Sequence, residues 1–219
     1  MAATEHARTA SLPGFAELAA GDRPGAYVRA TWATFLELAR YVAGPRARNL
    51  ARTAVAHTAI ETGWGVGLFC WNPGNIMASG EQPWFSMVDH RIVGETMEAF
   101  TARFAYFRTL RAGVTFYYNT LSRYGAGRAL ELASEGDPQF FPLLRATGYF
   151  GGFTYKHGTE SAPRPDTDAE LAASFAGTLG RVDAELEPLE RRARGVRAFL
   201  GTVALGSLAA LAVHRVAAR

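Results

Sequence analysis

The sequence has little cysteine, little lysine and little net charge. Cys70 is the only cysteine in 219 residues, so an intramolecular disulfide is excluded. Because it lies in an apolar stretch, we expect a buried small side chain, with a nucleophile near His57 as the alternative. The net charge is +3, Lys156 is the only lysine, and no segment interleaves arginine with aromatic residues. We therefore expect no nucleic-acid partner.

The chain also lacks an apolar run of the roughly 20 residues that cross a bilayer comfortably. The longest charge-free apolar segment is residues 198–213, and arginines stand on both sides of it. We predict an apolar C-terminal helix over residues 197–219 that serves as a membrane anchor, with a buried or interfacial helix as the alternative. No secretory signal is recognisable at the N-terminus, where a basic region and an apolar region are both missing.

The rest of the composition is that of a folded protein, with 48% hydrophobic and 20% charged residues. Frequent glycine and proline in residues 1–26 predict a flexible leader. Apolar periodicity predicts a mostly helical domain over residues 27–160 and a helical linker over 161–196. The linker helix either packs on its own domain or forms a short coiled coil. The predicted elements are helices at 26–42, 46–62, 109–123, 127–134 and 137–147, a loop at 63–90 and a short hairpin within 91–107.

One glutamate stands in an unusual place for a charged side chain. Leu50, Ala54, His57 and Glu61 lie along one face of the second predicted helix, and Gly63 follows its end. The negative end of the helix dipole disfavours a carboxylate there, and so does desolvation by apolar neighbours. Both effects favour the protonated form that a general acid requires. The alternative is an ordinary surface glutamate near a helix end.

Two sequence motifs around this glutamate resemble those of a known family. Glu61–Gly65 reads E-T-G-W-G and resembles the E-[ST]-G-W-G signature of bacterial glucosaminidases and flagellar muramidases. Asn72–Ala78 reads N-P-G-N-I-M-A and is similar to that family's N-L-F-G-I-K-A segment. In it, Gly74 and Asn75 replace a phenylalanine and a glycine.

Two later motifs follow in the family's order. Ala102–Val114 resembles the A-K-F-R-x-Y-x-S-x-x-E-G-V segment, with Phe107 where a tyrosine is usual. Gly148, Tyr149 and Tyr155 resemble the closing motif G-Y/W-A-T-D-P-x-Y-A. The first motif is specific, and the others add weight because of their order.

The resemblance covers residues 30–157 and implies a lysozyme-like α+β fold, mostly α, with a helical lobe, a small β lobe and a groove for a glycan strand. Glu61 would then protonate the glycosidic oxygen. A second carboxylate usually comes from the β lobe. We favour Glu95, because a family glutamate also precedes the A-K-F-R segment, although the spacing here is shorter. The other candidates are Glu81, Asp89 and Glu98.

Five further residues are candidates for substrate binding. Asn72 and Asn75 either bond sugar N-acetyl groups or cap the loop that contains them. Trp64 either stacks on a sugar face, as do Trp71 and Trp84, or packs in the core. Tyr149 and Tyr155 are placed in the groove by the resemblance.

A metal site would need a third ligand beside His57 and Glu61. The sequence offers no second cluster of His or Cys, so we expect no metal, no cofactor and a neutral His57.

The sequence thus predicts a peptidoglycan hydrolase that cleaves β-1,4 bonds between N-acetylglucosamine and N-acetylmuramic acid and acts at the cell wall or periplasm. One alternative is a non-catalytic wall-binding or structural module of a phage or secretion apparatus. Another is a lytic transglycosylase, which can work with a single acid. The bond that is cut, the export route and a host or phage origin stay open.

Overall fold

The computed structural model describes residues 4–93, 96–149, 155–159, 162–165 and 167–217, with side chains for all of these except 90–97, 155–165 and 197–217. Within these ranges the helices are α1 (Arg23–Ala43), α2 (Ala47–Thr62), α3 (Leu110–Leu121), α4 (Arg128–Glu135), α5 (Phe140–Ala146) and α6 (Asp168–Ala217). The strands are β1 (Trp84–Val93), β2 (Thr96–Ala105), β3 (Tyr155–Thr159) and β4 (Ala162–Pro165).

Helix α2 is the central element, because it packs against both α1 and α4. Nearly every residue from Leu50 to Ala59 is buried, so the helix has little solvent-facing surface over this stretch. It ends where predicted: Gly63 adopts a left-handed conformation with φ of 54°, which glycine tolerates best. This termination fixes the position of Glu61 in the last helical turn.

Strands β1 and β2 form an antiparallel hairpin with a register running from Trp84 opposite Ala105 to Val93 opposite Thr96. The predicted hairpin began at residue 91, and the loop assigned to residues 84–90 was wrong. These residues form a strand because Phe85 packs against Phe104, with ring centroids 5.8 Å apart, beside the buried Cys70. The prediction that Cys70 is buried is confirmed.

The second hairpin, β3 with β4, was not predicted from the sequence. It falls in a segment rich in glycine and proline, where alternation of apolar and polar residues is weak.

The N-terminal segment from Thr4 to Asp22 lies against the domain, which differs from the predicted flexible leader. The His6 amide donates to the Trp84 carbonyl at 2.7 Å, and the Ser11 amide donates to the Leu68 carbonyl at 2.9 Å. The His6 ring stacks on Tyr106 with centroids 3.9 Å apart. These backbone pairings could not be read from the sequence because they join residues far apart in the chain.

The chain divides into two compact units, Met1–Val182 and Asp183–Arg219. The first unit therefore extends past the predicted domain end at residue 160 and includes the start of α6. Phe175 of α6 is fully buried, with its ring 5.7 Å from Phe140 and 5.3 Å from Phe141. At this position the helix packs on its own domain, which is one of the two alternatives for the predicted linker.

The second unit continues the backbone of α6. The side chains of the apolar segment 198–213 lie outside the described residues. Among the described residues, no helix combines the length and the apolar character that crossing a membrane requires.

Candidate active site

Glu61 lies in the last turn of α2 with 15% of its side chain exposed. Its backbone carbonyl accepts a hydrogen bond of 2.5 Å from Nδ2 of Asn75. A helix leaves its last carbonyl groups without partners inside the helix, and Asn75 supplies one. The end of α2 is thereby tied to the loop that carries the second sequence motif.

His57 lies one turn before Glu61 on the same face of α2, as the spacing predicted. Its side chain is fully buried, and its Nε2 atom is 3.4 Å from Oε1 of Glu61. Its Nδ1 atom is 2.7 Å from the hydroxyl of Tyr117 in α3. The three side chains form a line from the interior of the helical lobe to the partly exposed carboxyl group.

Four aromatic rings surround the imidazole. Its centroid is 5.0 Å from the Tyr149 ring, 5.5 Å from both Phe140 and Phe141, and 5.7 Å from Tyr117. These rings form an apolar enclosure around the imidazole. The expectation of a neutral His57 stays a prediction.

Tyr149 lies close to Glu61, and its predicted place in a substrate groove stays a prediction. Burial, together with the nearby Glu61 carboxylate, holds the pKa of its hydroxyl well above the ordinary value, so the hydroxyl stays protonated near neutral pH. That hydroxyl donates to the backbone carbonyl of Gly74 at 2.8 Å. A Cβ atom at position 74 would lie 2.4 Å from the hydroxyl oxygen of Tyr149. Glycine at this position, where the family has phenylalanine, makes the contact with Tyr149 sterically feasible.

The loop over residues 72–78 is held by its two asparagines. The Asn72 side chain is fully buried, donates to the Ile76 carbonyl at 2.8 Å and accepts from the Ile76 amide at 3.0 Å. These are the hydrogen bonds of a loop-capping residue, and the buried amide has no surface to offer a sugar. Asn75 has a left-handed φ of 46°, which asparagine tolerates better than most residues. This conformation explains why asparagine can stand where the family has glycine.

Trp64 is partly exposed and packs edge-on against Tyr27, with centroids 6.2 Å apart. It also lines a pocket of about 380 Å³ with residues of the α2 end and of α6, including Ile60 and Arg181. Its indole is therefore accessible to a ligand on one side and packed on the other.

Two tyrosines near the site were not singled out from the sequence. Tyr117 contacts His57, and the Tyr124 ring is 5.2 Å from that of Tyr149. The available signal was the apolar face of α3, which places Val114, Tyr117 and Leu121 together in the core. A tyrosine on such a face requires a partner for its hydroxyl.

The second carboxylate stays a prediction. Glu95 lies outside the described residues. Of the other candidates, Asp89 and Glu98 are on the β1–β2 hairpin and Glu81 is in the turn before it. The backbone of Tyr155 opens β3, but its side chain is likewise outside the described part.

No group of three His, Cys, Asp or Glu side chains in the described part of the chain is placed to hold a metal ion.

Solved structures with the same architecture include three bacterial proteins. A peptidoglycan hydrolase mutant from Sphingomonas sp. A1 aligns with a TM-score of 0.52 and 22% identity over 74% of this chain and 97% of its own. The glycoside hydrolase domain of FlgJ from Salmonella typhimurium aligns with a TM-score of 0.52 and 15% identity, over 83% of this chain and 99% of its own. The catalytic domain of the autolysin Auto from Listeria monocytogenes aligns with a TM-score of 0.52 and 13% identity, over 81% and 90%.

The chain has the fold that these three proteins share. The predicted class, α+β and mostly α, is confirmed, and the resemblance to the glucosaminidase and flagellar-muramidase family is confirmed at the level of the fold. No protein-family model matches the chain, and no curated protein matches its sequence.

Proposed function

We propose that this protein is a peptidoglycan hydrolase that cleaves β-1,4 bonds between N-acetylglucosamine and N-acetylmuramic acid, with Glu61 as its general acid. The observation that carries the proposal is the placement of Glu61. Its carboxyl group is mostly buried at the end of α2, supported from behind by a buried histidine, in a fold shared with a peptidoglycan hydrolase and a glycoside hydrolase domain.

Cleavage of a glycosidic bond requires a proton on the leaving oxygen. A carboxyl group can supply it if its neutral form is favoured before the reaction. Glu61 lies in the last turn of α2 with 15% of its side chain exposed, so its carboxyl group is within reach of a bound sugar.

The residues around Glu61 support a role in positioning the acid. Asn75 holds the backbone at Glu61 through a hydrogen bond to its carbonyl oxygen. Tyr149 holds the neighbouring loop through a hydrogen bond to the carbonyl oxygen of Gly74. Trp64, three residues further along, has an accessible face and is our candidate for stacking on a sugar ring. Tyr155 and the favoured second carboxylate, Glu95, are proposed to complete the groove on the evidence of the resemblance alone.

Zymography on purified cell wall tests the activity with three proteins. Wild type should clear the wall, and Glu61→Gln, which keeps the size of the side chain but cannot donate an acidic proton, should not. Glu37→Gln is the matched control, because Glu37 is half exposed in an ion pair with Arg111 and the same chemical change there should leave clearing intact. Equal clearing by wild type and Glu61→Gln, or clearing by neither, would refute the proposal.

Analysis of the products determines which bond is cut. A hydrolase of the proposed type yields reducing ends, and mass spectrometry identifies the sugar that carries them. Anhydro-sugar ends in their place would assign the chain to the lytic transglycosylases.

A further inference from the structure

The proposed acid is backed by two buried side chains that do not themselves reach a substrate. His57 touches Glu61 on one side and Tyr117 on the other, and both His57 and Tyr117 are fully buried. Neither the fold nor general-acid chemistry requires a titratable ring at this place.

The hydrogen bond between His57 and Tyr117 has a preferred direction. Burial raises the pKa of the Tyr117 hydroxyl well above its ordinary value, and the nearby Glu61 carboxylate raises it further. The hydroxyl keeps its proton, and because it is fully buried with Nδ1 as its one hydrogen-bond partner among the described residues, it donates a hydrogen bond to Nδ1. A neutral imidazole that accepts at Nδ1 carries its own proton on Nε2, the atom that faces Glu61.

The groups that face His57 among the described residues include two polar groups and three further aromatic rings. They are the carboxyl of Glu61 from its own helix, the hydroxyl of Tyr117 from α3, the Tyr149 ring that follows α5, and two phenylalanine rings of α5. The hydrogen bond from Tyr117 therefore favours the His57 tautomer that carries its proton on Nε2, the nitrogen next to Glu61.

We infer that Tyr117 and His57 are positioning residues that select which oxygen of the Glu61 carboxyl group carries the transferable proton. An Nε2–H group that forms a hydrogen bond to Oε1 favours the carbonyl form of that oxygen. The acidic proton is then left on the other oxygen, away from the buried histidine. At 3.4 Å the two atoms do not yet form a hydrogen bond in this structure, and we expect the distance to shorten when a substrate is bound. This inference rests on the proposed role of Glu61.

Two tyrosine variants in the full chain test the inference. Tyr117→Phe removes the hydroxyl that donates to His57. Tyr118→Phe is the matched control, because Tyr118 is the next residue of α3, is equally buried, and its hydroxyl donates instead to the Phe35 carbonyl at 3.1 Å. Both variants lose one buried hydrogen bond of a tyrosine, so both should lose a similar amount of thermal stability.

Kinetics on solubilised peptidoglycan should separate the two variants. We expect Tyr117→Phe to lower kcat about tenfold with little change in KM, since a misdirected proton forfeits part of the roughly 10²- to 10⁴-fold that a general acid contributes. Tyr118→Phe should keep the wild-type kcat. Equal kcat values for the two variants would overturn the inference.

A second readout does not depend on activity. The ¹⁵N NMR spectrum of histidine-labelled protein distinguishes the two neutral tautomers, and His57→Gln identifies the signal of His57 by its loss. Wild type and Tyr118→Phe should carry the proton on Nε2, and Tyr117→Phe should lose that preference. A wild-type His57 protonated on Nδ1, or on both nitrogens, would contradict the inference. If the wild type were inactive on cell wall, the proposed function would fail, while the NMR result would still decide the tautomer.

Discussion

At the scale of single residues, the site depends on positions where a side chain would not fit. Gly113 in the first turn of α3 is the clearest. A Cβ atom there would lie 1.9 Å from the backbone carbonyl oxygen of Trp71, which cannot move without displacing the loop of the second motif. The close approach of α3 to this loop is therefore possible only with glycine.

We predict that Gly113→Ala destabilises the protein at the upper end of the about 1–3 kcal/mol typical of overpacking. The matched control is Gly177→Ala in α6, where a Cβ atom meets nothing within 4 Å. Alanine is the better helix former by about 1 kcal/mol, so this control should be neutral or stabilising. Urea titration of both variants measures the free energy of unfolding. Equal effects of the two would contradict the described packing of α3.

Asn75 offers a second test, because its backbone and its side chain have separate roles. Asn75→Gly and Asn75→Ala both delete the hydrogen bond to the Glu61 carbonyl. Only alanine adds the strain of a left-handed φ, which costs about 1–2 kcal/mol. Asn75→Ala should therefore be the less stable by about 1 kcal/mol, as measured by thermal and chemical unfolding. If alanine were the more stable, the left-handed conformation would be in error.

Local features of the site could be predicted from the sequence, whereas features that depend on contacts between distant residues could not. The end of α2 at Gly63 and the shared face of His57 and Glu61 are local properties that spacing reveals. The partner of His57 is 60 residues away in sequence, and no local pattern connects it to Tyr117. The same holds for the loop-capping role of Asn72, which the sequence left equal to sugar binding.

At the scale of elements, the helices were predicted better than the strands. Helices α2 and α4 were placed to within a residue or two at each end, because their apolar spacing is strong and glycine marks their ends. Strand β1 was missed over residues 84–90, since Pro83 and the aromatic residues directly after it resemble a loop. At the start of α6, Thr167 and Glu170 bond each other's backbone amides in a capping box.

The N-terminal segment gives an element-scale prediction. Leu12 and Phe15 lie so close to Gly65 of the first motif that a Cβ atom there would be 3.1 Å and 3.0 Å from them. The segment therefore helps to hold the loop that follows Glu61. We expect the amides of His6, Ser11 and Cys70 to be protected in hydrogen-exchange NMR, since each donates to a backbone carbonyl. Exchange of these amides at the rate of an unstructured peptide would contradict this packing and support the predicted flexible leader.

At the scale of the whole molecule, the charge suits an acidic polymer. The chain carries 23 basic and 20 acidic residues. A small excess of this kind acts through a field that salt screens within about 10 Å at 0.1 M and about 3 Å at 1 M.

We expect the Glu61→Gln protein to sediment with purified cell wall less completely in 1 M than in 0.1 M sodium chloride. The inactive variant keeps the wall intact during the measurement. Chitin, which is uncharged, is the control polymer and should show little dependence on salt. Wall binding that does not change with salt would exclude an electrostatic contribution.

Proton donation by Glu61 to the leaving oxygen is tested most directly by changing the leaving group of the substrate. We compare wild type and Glu61→Gln on peptidoglycan and on a peptidoglycan-derived oligosaccharide with a 2,4-dinitrophenyl leaving group, which departs without protonation. On peptidoglycan the variant should lose roughly 10²- to 10⁴-fold in kcat/KM, the usual contribution of a general acid. On the activated substrate it should stay close to wild type. An equal loss on both substrates, or no loss on either, would contradict the role of Glu61.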